Sequence, residues 1–159
     1  MYKLLFLCTG NSCRSILGEA LINHLAPGRF KAYSAGSSPA GIVNPNALIE
    51  LSEQGISDQI FSSQSWHDFA EIKIDMVISV CDNAAGEVCP IALQSALRAH
   101  WGLPDPAAVS SSEMAIKQAF TRTFHALDRR VDRLLALPFE RLSDLDKVSH
   151  VNAIGQLTD

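Results

Sequence analysis

The sequence predicts an α/β protein: a three-layer sandwich around a central four-stranded parallel sheet, built as one domain over residues 1–159. Three observations predict it. Short apolar runs alternate with amphipathic stretches, the pattern of parallel strands joined by helical crossovers. No repeat, low-complexity tract or long linker divides the chain. Its 159 residues, 47% of them hydrophobic, are enough to fill one core.

Residues 2–7 read as the first strand, carried by the apolar run Leu4-Leu5-Phe6-Leu7. Residues 15–25 place Ile16, Leu17, Ala20, Leu21 and Leu25 at helical spacing and stop before Pro27-Gly28. Residues 30–34 form a second strand, ending at Ala35-Gly36. A loop over 37–43 leads to Asn44-Pro45, which opens a helix through about Gln54, closed by Gly55. Another short helix is expected near 64–71. The apolar segment 76–80 is the third strand, and 98–102 the fourth, followed by a proline-rich loop. A long amphipathic helix spans 111–135, with Ala115, Ala119, Phe120, Phe124, Leu127, Val131 and Leu134 along one side. Beyond Pro138 the pattern is ambiguous. Residues 145–153 suit either a last helix or an adaptable segment.

The most informative stretch is Cys8-Thr9-Gly10-Asn11-Ser12-Cys13-Arg14-Ser15, set between the first strand and the first helix. Five residues between Cys8 and Arg14 allow the backbone to curl round a small tetrahedral anion. Successive N–H groups of Thr9, Gly10, Asn11, Ser12 and Cys13 would point inward, and Arg14 would close the ring with two parallel donors. The same positive surroundings favour a thiolate at Cys8, and the thiolate is the nucleophile. Ser15 is placed to donate a hydrogen bond to that sulfur. The octet is an oxyanion site with an attacking group in its floor. A buried strand-end cysteine and a solvated arginine, each taken separately, are the plainer readings.

Composition narrows the partners. The net charge is −4 with no basic run, which argues against nucleic acid. No stretch approaches the length of a membrane span. The apolar run after Met1-Tyr2-Lys3 is too short for a secretory segment. Four irregularly spaced cysteines then point to a reducing cytoplasm and to reactive thiols. A monomer is expected.

In a parallel sheet, functional groups gather beyond the carboxyl ends of the strands. Cys8 ends the first strand, Cys81 follows the third, and Asp105 lies in the loop after the fourth, so the three are expected on one edge. Asp105, in Leu103-Pro104-Asp105-Pro106, is stiffened by both prolines and suited to protonate a departing oxygen. The same run also makes an ordinary turn. Cys81 and Cys89 have three readings: inert core thiols, zinc ligands together with His100, or a thiol relay. Seven residues separate them, so an intact helix would hold them roughly 12 Å apart along its axis. A disulfide needs Cα atoms within about 7 Å. The relay therefore requires a looped or unwinding segment, with Gly86 as the permissive point.

The chain resembles the arsenate reductases of the low-molecular-weight protein tyrosine phosphatase superfamily over nearly its whole length. The octet, Tyr33-Ser34-Ala35-Gly36-Ser37, the Cys81 to Cys89 segment and His100-Trp101-Gly102-Leu103-Pro104-Asp105-Pro106 carry the resemblance. It implies a low-molecular-weight phosphatase-like fold and these roles. Cys8 attacks arsenate, Arg14 and the loop amides hold its oxygens, and Asp105 assists loss of water or hydroxide. Cys81 attacks the sulfur of the Cys8–arsenic adduct, releasing arsenite and leaving a Cys8–Cys81 disulfide. In the thioredoxin-coupled subgroup, the most similar, Cys89 then attacks Cys81 and presents a disulfide to thioredoxin.

The resemblance implies no tightly bound cofactor, an external thiol reductant and, in some members, a potassium ion near Asn11, Glu19 and Ser34. A buried, hydrogen-bonded Glu19 is the alternative to that ion site. Cys13 is either a protective partner for Cys8 or a packed bystander. The Cys81–Cys89 spacing is one residue longer than in the thioredoxin-coupled pattern, which leaves glutathione with glutaredoxin as a second reductant. Ala107 and Ala108 stand where the phosphatases of the superfamily carry an aryl-gripping tyrosine. Phosphate-ester hydrolysis through a phosphocysteine is nevertheless the alternative activity, and an anion-binding or redox-sensing module without turnover is the third.

Overall fold

The computed structural model describes residues 1–158. Four parallel strands run in the order β2-β1-β3-β4: β1 (Tyr2–Cys8), β2 (Phe30–Gly36), β3 (Met76–Ser79) and β4 (Leu97–His100). The chain steps from β1 to β2 in one direction and from β3 to β4 in the other. Right-handed crossovers then place the two connections on opposite faces, which makes three layers. The reversal falls between β1 and β3, and the carboxyl ends of those strands therefore flank a crevice.

Helix α1 (Arg14–Leu25) packs on β1 and β2. The approach is close because residue 18 is glycine: a Cβ there would lie 2.6 Å from the Phe6 ring. Ile16, Leu17, Leu21 and Ile22 are fully or almost fully buried along this face, each contributing about 1.5–3 kcal/mol by burial. Helix α2 (Pro45–Glu53) starts as its sequence demands: Asn44 Oδ1 accepts from the Asn46 amide, and Pro45 takes the first helical position. A single helical turn, α3 (Asp82–Ala85), follows β3. The long helix α4 (Glu113–Leu135), capped by Ser112, packs against α1 and α2.

Three elements differ from the sequence reading. The helix expected near 64–71 is a tight 3-10 turn, Trp66–Phe69. It starts late because both backbone groups of Gln64 are engaged elsewhere: its carbonyl accepts from Gly36 N and its amide donates to Asn11 Oδ1. The fourth strand ends at His100 rather than 102, and the carbonyls of Trp101 and Gly102 accept from Arg130 Nη1 of α4 at 3.2 and 3.3 Å. The ambiguous tail is a helix, α5 (Asp144–Gly155), docked on β4 and α4. Its Val151 carbonyl accepts from buried Trp101 Nε1, and Asn152 Oδ1 accepts from His100 N. Among the described residues no helix is long and apolar enough to cross a membrane.

Candidate active site

The octet forms the loop between β1 and α1, and backbone from distant segments braces it from outside. The carbonyl of Thr9 accepts from Ser38 N, that of Gly10 from Ala40 N and Ser63 Oγ, and that of Ser12 from Asn44 N. These contacts hold the outer side of the loop through its carbonyls. Asn11 is the pivot. It is fully buried and adopts φ +46°, a left-handed conformation that asparagine tolerates better than most residues. Its Nδ2 donates to Ser15 Oγ at 2.9 Å and its Oδ1 accepts from Gln64 N at 2.8 Å. Gly36, at the end of β2, makes this packing possible. A Cβ there would collide with the Thr9 carbonyl oxygen.

The loop opens into a cleft of about 450 Å³ lined by Cys8, Thr9, Gly10, Ser12, Cys13, Arg14, Cys81, Asp82, Asn83, Leu103, Pro104 and Asp105. The strand ends thus bring Cys8, Cys81 and Asp105 to one edge. Arg14 Nη1 donates to the Leu103 carbonyl at 2.8 Å, and Nη2 lies 3.8 Å from Asp105 Oδ1. Among the described residues the buried Arg14 Nε finds no acceptor. A buried donor of that kind is costly unless an anion engages it, and this one borders an anion-shaped cleft. Asp105 is half-exposed, and its Oδ1 accepts from Ala107 N. It therefore makes the turn that its prolines imply and faces the cleft as well.

Cys8 and Cys81 are both buried and line the same cleft. The Cys81 thiol is lowered to about 5, chiefly by its contact with the Cys8 thiol, assisted by Ala84 N and by the Thr9 hydroxyl and amide. Thr9 Oγ1 stands 3.6 Å from the Cys81 sulfur. The Cys8 thiol is pushed up by that same contact and by burial, against the pull of Arg14 and Gly10 N. The two thiols titrate as a coupled pair, in which ionisation of one opposes ionisation of the other. Ser15 Oγ accepts from Asn11 Nδ2, an arrangement that leaves its own proton available to donate.

The remaining candidates separate from this cluster. Cys13 lines the cleft beside Ser12 Oγ at 3.6 Å, and burial pushes its thiol up. Cys89 is buried outside the cleft, where Arg98 Nη1 donates to its sulfur at 2.8 Å. Only residues 82–85 of the intervening segment are helical, and Gly86 closes that turn with an ordinary φ of −85°. Gly86 therefore supplies no left-handed backbone here. His100 contacts Ser79 and Asp82 rather than the distal cysteines, so the zinc arrangement does not assemble. Among the described residues no three His, Cys, Asp or Glu groups are placed to hold a metal. Glu19 accepts from Ser34 Oγ, and burial raises its carboxyl to about 7, against the pull of Ser34 and Lys31.

A family model for low molecular weight phosphotyrosine protein phosphatase matches residues 3–148. The chain belongs to that family. Among its relatives, it is 34% identical to an arsenate reductase of Shouchella clausii over 80% of this chain and 91% of that protein. An arsenate reductase of Halalkalibacterium halodurans is 35% identical over 79% of this chain and 89% of its own length. A solved arsenate reductase in a phosphate-binding state superposes with TM-score 0.71 and 28% identity, covering 86% of this chain and 98% of the other. A low molecular weight tyrosine phosphatase of T. tengcongensis shares the fold, with TM-score 0.67, 20% identity and coverage of 89% and 100%.

Several residues of this family site escape sequence reasoning. Gln64, Ser63, Ser38 and Asn44 brace the loop from distant segments, and nothing in their local sequence announces it. Gly36 carried a signal in principle, since a glycine ending a strand often marks a close backbone approach.

Proposed function

We propose that this protein reduces arsenate to arsenite with thiol electrons. The observation that carries this reading is the second thiol: Cys81 lines the same cleft as Cys8 and Arg14. Phosphate-ester chemistry needs one cysteine, whereas two-electron reduction of arsenic(V) needs two.

The oxyanion binds to the loop amides and Arg14. The Cys8 proton passes to Cys81, leaving Cys8 as the thiolate that Arg14 and Gly10 N favour. Cys8 sulfur then bonds to arsenic, and an arsenate oxygen departs as water, protonated with the help of Asp105. Cys81 gives its proton to an oxygen still bound to arsenic and attacks the Cys8 sulfur as a thiolate. The sulfur–arsenic bond breaks, its electron pair stays on arsenic, and arsenite leaves. Two thiols have become one disulfide as arsenic(V) becomes arsenic(III).

Cys89 next attacks Cys81, freeing Cys8 and moving the disulfide outward. That step requires Cys89 to leave Arg98, and the short α3 turn leaves the segment little helix to unwind. Thioredoxin or glutathione with glutaredoxin reduces the outer disulfide. The exposed Val88 and Ile91 flanking Cys89 offer a protein reductant an apolar footing. Hydrolysis of phosphate monoesters through Cys8, Arg14 and Asp105 is the second reading, favoured by the same anion cleft.

The test is arsenate-dependent NADPH oxidation with thioredoxin and thioredoxin reductase, run beside glutathione and glutaredoxin. The disulfide that accumulates without reductant is then mapped. Arsenite production with a Cys8–Cys81 or Cys81–Cys89 bond is the expected result. Phosphate-ester turnover without arsenite in either system would establish the phosphatase instead.

A further inference from the structure

His100 lies outside the anion loop, yet its imidazole joins two residues on either side of the Cys81 backbone. Nδ1 is 2.8 Å from Ser79 Oγ, at the end of β3. Nε2 is 2.9 Å from Asp82 Oδ1, at the first position of α3. The ring thus closes a clamp over Val80 and Cys81. A neutral imidazole satisfies both contacts, donating from Nε2 to the carboxylate and accepting from the serine at Nδ1.

The clamp is anchored from behind. The His100 amide donates to Asn152 Oδ1 of α5, and its carbonyl is packed so tightly on Gly155 that a Cβ there would collide with it. Room for the imidazole–carboxylate contact comes from Gly102, where a Cβ would approach Nε2 to 2.7 Å and Asp82 Oδ1 to 3.0 Å. The Asp82 side chain is 94% exposed, so packing does not hold it. Its carboxylate is tied to the rest of the protein through His100.

We propose that His100 is a positioning residue for Cys81: through Asp82 it holds the head of α3 at the anion loop and keeps the Cys81 sulfur on Cys8. This deepens the reductase reading and rests on it for its biological meaning. The geometry itself concerns only the union of two sulfurs, so it is tested without arsenate.

Reduced full-length protein is treated with diamide, which takes up two hydrogens as two thiols become a disulfide. The rate of Cys8–Cys81 bond formation is followed by acid quenching and peptide mapping. In parallel, iodoacetamide labelling is measured at each cysteine. His100→Ala and Asp82→Ala are expected to slow the disulfide by about fivefold to tenfold, the scale of one lost side-chain hydrogen bond. Cys8 labelling should rise at the same time, because Cys81 no longer stands over it in the cleft. Asp82→Asn keeps an acceptor oxygen and restores most of the disulfide rate. Asp82→Ala, at an exposed position, guards against a His100 variant that fails to fold.

Wild-type disulfide rates in both alanine variants would overturn the proposal. So would a uniform rise in labelling at Cys8, Cys13, Cys81 and Cys89, which marks general loosening. A protein that forms this disulfide as expected but yields no arsenite keeps the clamp and loses the reductase assignment.

Discussion

Cys8 and Cys81, from the ends of adjacent parallel strands, line one cleft, and each shifts the ionisation of the other. Replacing Cys81 by serine removes the largest cause that raises Cys8. In Cys81→Ser the Cys8 thiol therefore ionises at lower pH than in the wild type, where a neighbouring negative sulfur opposes it. Titration of thiolate absorbance near 240 nm, with Cys13 and Cys89 also replaced, reads the direction. A Cys8 titration unchanged by the substitution means that the two sulfurs are not partners in solution. The same variant should lose arsenate turnover while retaining any hydrolysis of p-nitrophenyl phosphate.

Cys8→Ser should lose both activities, by at least about a thousandfold, because a serine hydroxyl here is poorly ionised. Anion affinity should survive, since the amides and Arg14 remain. Isothermal titration with phosphate checks this alongside the two assays.

Gly36→Ala drives a methyl group into the Thr9 carbonyl oxygen, with the Asn11 amide nitrogen only 3.1 Å from the same methyl. The clash is with backbone on both sides, so relief requires the anion loop to shift. A loss of about 1–3 kcal/mol in urea unfolding is expected, together with weaker phosphate binding. Full stability with unchanged binding would show that the loop is not seated on β2 as described.

Glu19 gives a pH dependence of definite sign. Its carboxyl ionises at about 7 in the folded protein, above its ordinary 4.5. Protonated Glu19 costs nothing relative to the unfolded chain below about 4.5. As pH rises from there to about 7, the unfolded chain ionises first and the folded state loses up to about 3 kcal/mol from this residue. Glu19→Gln should remove that slope, so its stability relative to the wild type improves across this window and then levels off. A parallel stability curve for the two proteins would contradict the assignment. Potassium held by this carboxylate favours its charged form and flattens the wild-type slope, so melts in potassium chloride and choline chloride test the ion directly.

The anion loop was legible because everything it needs is contiguous. Strand, octet and helix follow one another, and the complete octet in that setting, more than the Cys8 to Arg14 spacing, pointed to an anion loop. The alternation of elements similarly disclosed the parallel sheet, and with it the edge where Cys81 and Asp105 would meet Cys8. The outer braces were not legible. Gln64 and Asn44 hold the loop through single backbone or side-chain hydrogen bonds, which leave no periodic trace. Helix α5 was ambiguous for a related reason: its burial rests on few residues, chiefly Val151 and Ile154, and its docking on Trp101, His100 and Gly155.

The order of residues by itself determined the reactive loop and the layered α/β class, because both arise from near neighbours and from hydrophobic period. Tertiary structure decided how the loop is braced and how the two thiols at the cleft are shifted. Only the strand order β2-β1-β3-β4 sets β1 beside β3, and the burial and hydrogen bonds that shift both thiols exist once those strands have paired.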